Sequence, residues 1–135
     1  MNFVVDTWVL HRADENQINA IDFLNSFKKG HKIFIDKNSG DNKSKILTEY
    51  RSVHGLFISQ WLKSVLPKRI IKVVIKKRCK NFLKCKRDMK FVYVCLNSKK
   101  VNRIVSEDHD FSNNSDSLLA KGINLLDIEN ALLVS

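Results

Sequence analysis

Two apolar runs in this chain end in acids. Phe3-Val4-Val5 runs into Asp6, and Ile104-Val105-Ser106 runs into Glu107-Asp108-His109-Asp110. In an open parallel sheet, the working crevice lies beyond the carboxyl ends of the strands. A single acid there serves as a turn residue or helix cap, or belongs to a site. Two strands delivering acids in one small chain favour the site. Carboxylate oxygens suit hard cations such as Mg²⁺ or Mn²⁺.

Other chemistries find less support. Cys79 and Cys85 have five residues between them and no following His pair, which is not zinc-knuckle spacing. His11, His31 and His54 frame no nucleophile. His109 reads as an exposed turn histidine among acids.

The elements that must position the acids alternate. Phe3-Val4-Val5 and Lys32-Ile33-Phe34-Ile35 read as buried strands. Between them, Ile18, Ile21, Leu24 and Phe27 have helical spacing. This predicts a helix over 14–29, with Asp14 as N-cap and Gly30 as stop. The polar run 37–43 is a surface loop. Ser44 caps a helix through Ile46, Leu47, Tyr50 and Val53. A second helix spans about 57–66 and ends at Pro67. Two stretches stay open: 70–86 fits a strand or a basic helix, and 88–98 fits a helix or a strand. Arg103–Ser106 and Ile123–Leu126 read as strands, with helices closing at Leu118–Gly122 and over Ile128–Leu133. The expected fold class is α/β: one three-layer α/β/α domain over residues 1–135 with a central parallel sheet.

Composition agrees with a globular class. Of 135 residues, 44% are apolar and 28% charged, which excludes disordered and fibrous classes. No apolar run approaches the roughly 18 residues of a membrane span. The N-terminus lacks signal-peptide character and the three cysteines are no disulfide framework, so the expected location is cytoplasmic.

The net charge of +10 favours a polyanionic partner. Residues 63–90 hold twelve of the 24 basic residues and one acid, Asp88. An RNA groove would run along Lys68, Arg69, Lys72, Lys76, Lys77, Arg78, Lys80, Lys84, Lys86 and Arg87. The competing reading is a solvated basic face.

Val4-Val5-Asp6-Thr7, the Ile104–Phe111 segment and Gly122-Ile123-Asn124-Leu125-Leu126 together resemble a PIN domain. That family comprises small metal-dependent ribonucleases and includes the toxins of VapC-type toxin–antitoxin pairs. The order and spacing of these short motifs carry the resemblance over nearly the whole chain. It implies a parallel sheet flanked by helices, with 88–98 helical. It also implies a catalytic set: Asp6 after the first strand, Glu49 in the middle helix, Asp88 opening the helix before the fourth strand, and Asp108 after that strand. Asp6, Asp88 and Asp108 would ligate Mg²⁺ or Mn²⁺ with support from Asp110, and Glu49 would orient or deprotonate the attacking water. Ser106 would hydrogen-bond a metal-bound water or the phosphate, or simply satisfy backbone.

The implied activity is hydrolysis of RNA phosphodiester bonds, and the implied partners are RNA, a small antitoxin and a second copy of the chain. Trp8, Phe57 and Trp61 are candidates for a homodimer face or for the core. Three features depart from the family: Trp8 replaces a small polar residue, the 68–87 stretch is unusually basic, and the helix after Asp88 carries Tyr93 and Cys95 in place of small residues. The alternative is an inactive PIN-like module that binds RNA or protein.

Overall fold

Phe3, Val4 and Val5 have no exposed surface, and they lie in β1, which spans Asn2–Val5. A strand buried on both faces must sit inside a sheet. In the computed structural model, which describes residues 1–135, β1 is the central strand of five. The others are β2 (Lys32–Lys37), β3 (Ile70–Val74), β4 (Arg103–Val105) and β5 (Asn124–Leu126). All pairings are parallel and the order is β3-β2-β1-β4-β5. The α/β class with a central parallel sheet is therefore observed.

The order reverses at β1. The chain steps outward through β2 and β3, then returns to lay β4 on the other side of β1. Val4 pairs with Ile104 and Val5 with Val105, so β1 and β4 end level with each other. That is the switch point at which open parallel sheets form their crevice.

Helices cover both faces. α1 (Thr7–Asp14), α2 (Ile18–Ser26), α3 (Lys45–Arg51) and α4 (Leu56–Ser64) pack together, and α9 (Ile128–Val134) joins them through α2. The short α5 (Leu66–Arg69) leads into β3. α6 (Met89–Leu96) lies against β1, β2 and β4, followed by α7 (His109–Ser112) and α8 (Ser115–Ala120). Aromatic rings knit the layers. Phe3 meets Phe23 and Phe27 edge-on at 5.2 and 6.0 Å between centroids, and Phe91 meets Phe111 at 6.3 Å. Trp61 is buried; it packs on Phe27 and donates its indole N–H to the Leu24 carbonyl. No helix is long and apolar enough to cross a membrane.

Two local expectations are corrected. The helix expected over 14–29 begins only at Ile18 and runs into the 3₁₀ turn Phe27–Lys29 before Gly30, and Asp14 ends α1 instead of capping α2. Asp14 Oδ2 accepts the backbone N–H of Gly55, the N-cap of α4, at 2.9 Å. A β-carbon at Gly55 would lie 1.3 Å from the Asp14 carboxylate, so glycine is needed for this close approach. Pro67 does not end α4; it sits in the first turn of α5, where a missing N–H costs nothing. Of the two readings left open for 70–86, the strand is the one observed. Ile70–Val74 is an edge strand, and 75–85 has no regular structure.

Side chains hold that irregular segment instead. Asn97 Oδ1 accepts the Lys76 and Lys77 amides at 2.9 and 2.7 Å, and Nδ2 donates to the Lys77 carbonyl. Asp110 Oδ1 and Oδ2 accept the Lys84 and Cys85 amides at 3.0 and 3.1 Å. The segment is thus latched at both ends to elements of the sheet's α6–α7 side.

Candidate metal centre

Four of the five β-strands have an acid at or just past their carboxyl ends: Asp6, Asp36, Asp108 and Asp127, the last capping α9 through the Asn130 amide. Their donors differ. Asp36, buried in β2, accepts from the Ser44 hydroxyl and the Lys45 and Ile46 amides at 2.7–2.9 Å. Three donors satisfy it at the start of α3. Asp6 is as deeply buried, only 2% exposed, yet its carboxylate has one close side-chain donor, the Ser106 hydroxyl at 2.7 Å on Oδ2. Its backbone is fixed by its own N–H donating to the Val105 carbonyl.

α3 and α6 bring two further carboxylates to Asp6. Oxygens of Asp6, Glu49 and Asp88 all lie within 4.8 Å of one another, the chain's one trio of His, Cys, Asp or Glu spaced to hold a metal ion. Glu49 is placed by the Ser44-capped α3, with Ser44 Oγ accepting the Leu47 amide at 3.0 Å. Glu49 Oε1 accepts the Thr7 hydroxyl, and Oε2 accepts the Lys90 ammonium at 2.6 Å. Asp88 ends the short 3₁₀ turn Lys86–Asp88 that leads into α6.

Asp108 lies outside this trio. Its Oδ1 caps α7 by accepting the Asp110 amide at 2.9 Å. Its charge still reaches the site. Burial, with Asp88 and Asp108 adding repulsion, pushes the Asp6 carboxyl up to about 7 against the Ser106 hydrogen bond. Burial also raises Asp88; Glu49 and Asp108 add to that rise and Lys90 opposes it. Buried like charges with few donors are what a bound cation relieves. The donor set is all oxygen, which suits Mg²⁺ or Mn²⁺.

The remaining candidates fall elsewhere. Asp110 uses both carboxylate oxygens on the Lys84 and Cys85 amides, so it holds backbone beside the trio. Ser106 bonds Asp6 and accepts the Asp108 amide at 3.0 Å, joining two of the acids. The Trp8 side chain is 48% exposed and tilts against His11, while the Trp8 backbone N–H and the Ser106 hydroxyl both favour the charged Asp6 carboxylate. Cys79, Cys85 and Cys95 are unpaired thiols, and burial pushes Cys95 up to about 12.

A cleft of about 560 Å³ opens beside Glu49, between the β2–α3 loop and the 75–87 segment. Arg78, Lys86 and Arg87 of the basic stretch line it. So do Lys37, Lys43, Lys45 and Lys90, against the acids Asp36, Asp41 and Glu49. The Arg78 guanidinium rests over the Tyr93 ring, 5.5 Å from its centroid. Lys76, Lys77, Lys80 and Lys84 are exposed around the latched segment. Lys72 faces a smaller groove with Arg51 and Leu66. Lys68 and Arg69 precede β3, at the amino-terminal end of the strands and away from the acids, where Arg69 donates to the Lys28 carbonyl.

Sequence reasoning misses Thr7, Asp36, Lys90 and the loop lysines. Asp36 carries the same strand-end signal as Asp6, so it was within reach. Nothing in the sequence separates Lys90 from the other cations. No family model matches the chain, and no curated protein or solved structure matches it significantly.

Proposed function

We propose that the chain is a metal-dependent endoribonuclease that hydrolyses RNA phosphodiester bonds. The observation that carries this is Asp6: a buried strand-end carboxylate with one close side-chain donor, sharing the switch-point crevice with Glu49 and Asp88. RNA as the substrate follows from the PIN resemblance, as do the toxin role, a small antitoxin partner and a homodimer. The seven cations of the adjoining cleft support a polyanion.

Asp6, Glu49 and Asp88 would hold Mg²⁺ or Mn²⁺, with Asp108 alongside. When bound, the ion supplies a polarised phosphoryl oxygen and a more acidic water. The protein's own groups do the rest. Ser106 fixes the Asp6 carboxylate and ties it to the Asp108 turn. Arg78, Lys86 and Arg87 anchor phosphates in the cleft that ends at Glu49. Glu49 orients the attacking water or takes its proton at a carboxylate oxygen, and Thr7 keeps that side chain aimed at Asp6.

The test is cleavage of single-stranded RNA by purified protein in Mn²⁺ and in EDTA. Cleavage in Mn²⁺ alone, lost in Asp6→Asn, supports the reading; RNA left intact in Mn²⁺ overturns it. One observation favours the second reading, a module that binds RNA without cutting it. Both Glu49 oxygens already have donors, one of them the Lys90 ammonium. Salt-sensitive RNA binding without cleavage is the outcome that reading requires.

A further inference from the structure

Lys90 is the second residue of α6, and its side chain is only 10% exposed. Its ammonium lies 2.6 Å from Glu49 Oε2 and 2.9 Å from the Arg87 carbonyl. It therefore bridges α3 to the turn that carries Asp88. The same ammonium sits 4.8 Å from the centroid of the Phe91 ring. A lysine so enclosed gives up side-chain freedom and hydration, which a carboxylate partner offsets.

We propose that the Lys90 ammonium is the resident counter-ion of the acid trio, and that a divalent ion must displace it from Glu49 to load the centre. This rests on the reading of Asp6, Glu49 and Asp88 as a metal centre. Glu49 has Oε1 engaged by Thr7 and Oε2 engaged by Lys90. Each oxygen keeps a second lone pair for an ion, but on Oε2 the ion would share the oxygen with an ammonium. Thr7 is buried at the start of α1 and fixed by its helix. Lys90 is on a flexible stem and also borders the basic cleft. An ammonium and a divalent cation on one carboxylate repel, so the lysine is the group that yields. The cleft gives it somewhere to go, beside the phosphates of a bound polyanion. Lys90 is thus a positioning residue with two stations, one on Glu49 and one in the cleft.

The experiment is calorimetric titration of the whole chain with Mn²⁺ alone, together with melting in EDTA. Lys90→Met should bind Mn²⁺ roughly tenfold tighter, because a competing charge is gone. It should also melt lower in EDTA, because the acids lose their counter-ion. Lys90→Gln should show the same tightening, which covers the case where methionine does not fold. Lys90→Arg should keep the wild-type Mn²⁺ affinity. If wild type binds Mn²⁺ and both neutral variants bind it equally or more weakly, Lys90 is not a competing counter-ion and the metal reading survives. If neither wild type nor variants bind Mn²⁺, the metal reading falls and this inference with it.

Discussion

Asp110 Oδ2 accepts the Cys85 amide at 3.1 Å, across 25 positions of sequence. With Oδ1 on the Lys84 amide, the carboxylate fastens the basic segment just before the turn that carries Asp88. Asp110→Ala removes both charge-assisted bonds and should cost on the order of 2 kcal/mol. Amide exchange at Lys84 and Cys85 should quicken, while Mn²⁺ affinity should fall less than in Asp6→Asn. A larger fall in Mn²⁺ affinity than in Asp6→Asn would make Asp110 a ligand rather than a latch.

How much of this is legible follows from what each residue must satisfy. β1, β2 and β4 announce themselves because buried parallel strands are short apolar runs. α1 does not. Thr7-Trp8-Val9 continues a strand-like run, and the first clear helical spacing starts at Ile18. Asp14 looks like the cap of that later helix because its true partner, Gly55, is 41 positions away. β3 is an edge strand with Ile71 and Lys72 exposed, so its pattern is that of a basic helix as much as a strand. In the site, Asp6 is readable from its strand. Glu49 and Asp88 are reached only through resemblance, because helix packing rather than local pattern brings them in. Asp36 shows the limit of the strand-end signal: only its three donors tell it from Asp6.

Neutralising the acids tests catalysis. Asp6→Asn and Asp88→Asn keep size and remove charge from two of the trio. Each should lower Mn²⁺-dependent RNA cleavage by at least about 100-fold. Wild-type rates in either purified variant would show that the crevice does not cut RNA.

Stability should depend on pH through Asp6. Its carboxyl ordinarily titrates at 3.8 and is pushed up to about 7 in the fold. The folded protein therefore keeps a proton that the unfolded chain gives up. The stability this confers is fully present below about pH 4 and lost as pH rises through about 7. The gap corresponds to at most about 4 kcal/mol. Urea denaturation in EDTA at about pH 4 and about pH 8 brackets that loss. Asp6→Asn should lose less stability over that interval than wild type. Equal losses would mean that Asp6 is ionised throughout.

Placement of the cations predicts which ones govern binding. Arg78, Lys86 and Arg87 line the cleft, while Lys68 and Arg69 sit at the far end of the strands. Replacing the first three with Gln should flatten the log–log salt dependence of single-stranded RNA binding by up to roughly 2, at about 0.7 per phosphate. Replacing Lys68 and Arg69 should leave the slope as it was. The reverse pattern would put the RNA on the opposite end of the sheet.

The central place of β1 also sets when the site can exist. Asp6 and Ser106 are 100 positions apart, and the acids face each other only after β4 has docked on β1. Contacts that close so long a loop form slowly and late. During synthesis β1 leaves the ribosome before β4, which ends at Val105, and must wait for it to gain a second neighbour. A nascent chain released before that point carries the first carboxylate but no crevice. If the chain cuts RNA, it is therefore harmless to the ribosome and message that are making it until β4 has been made.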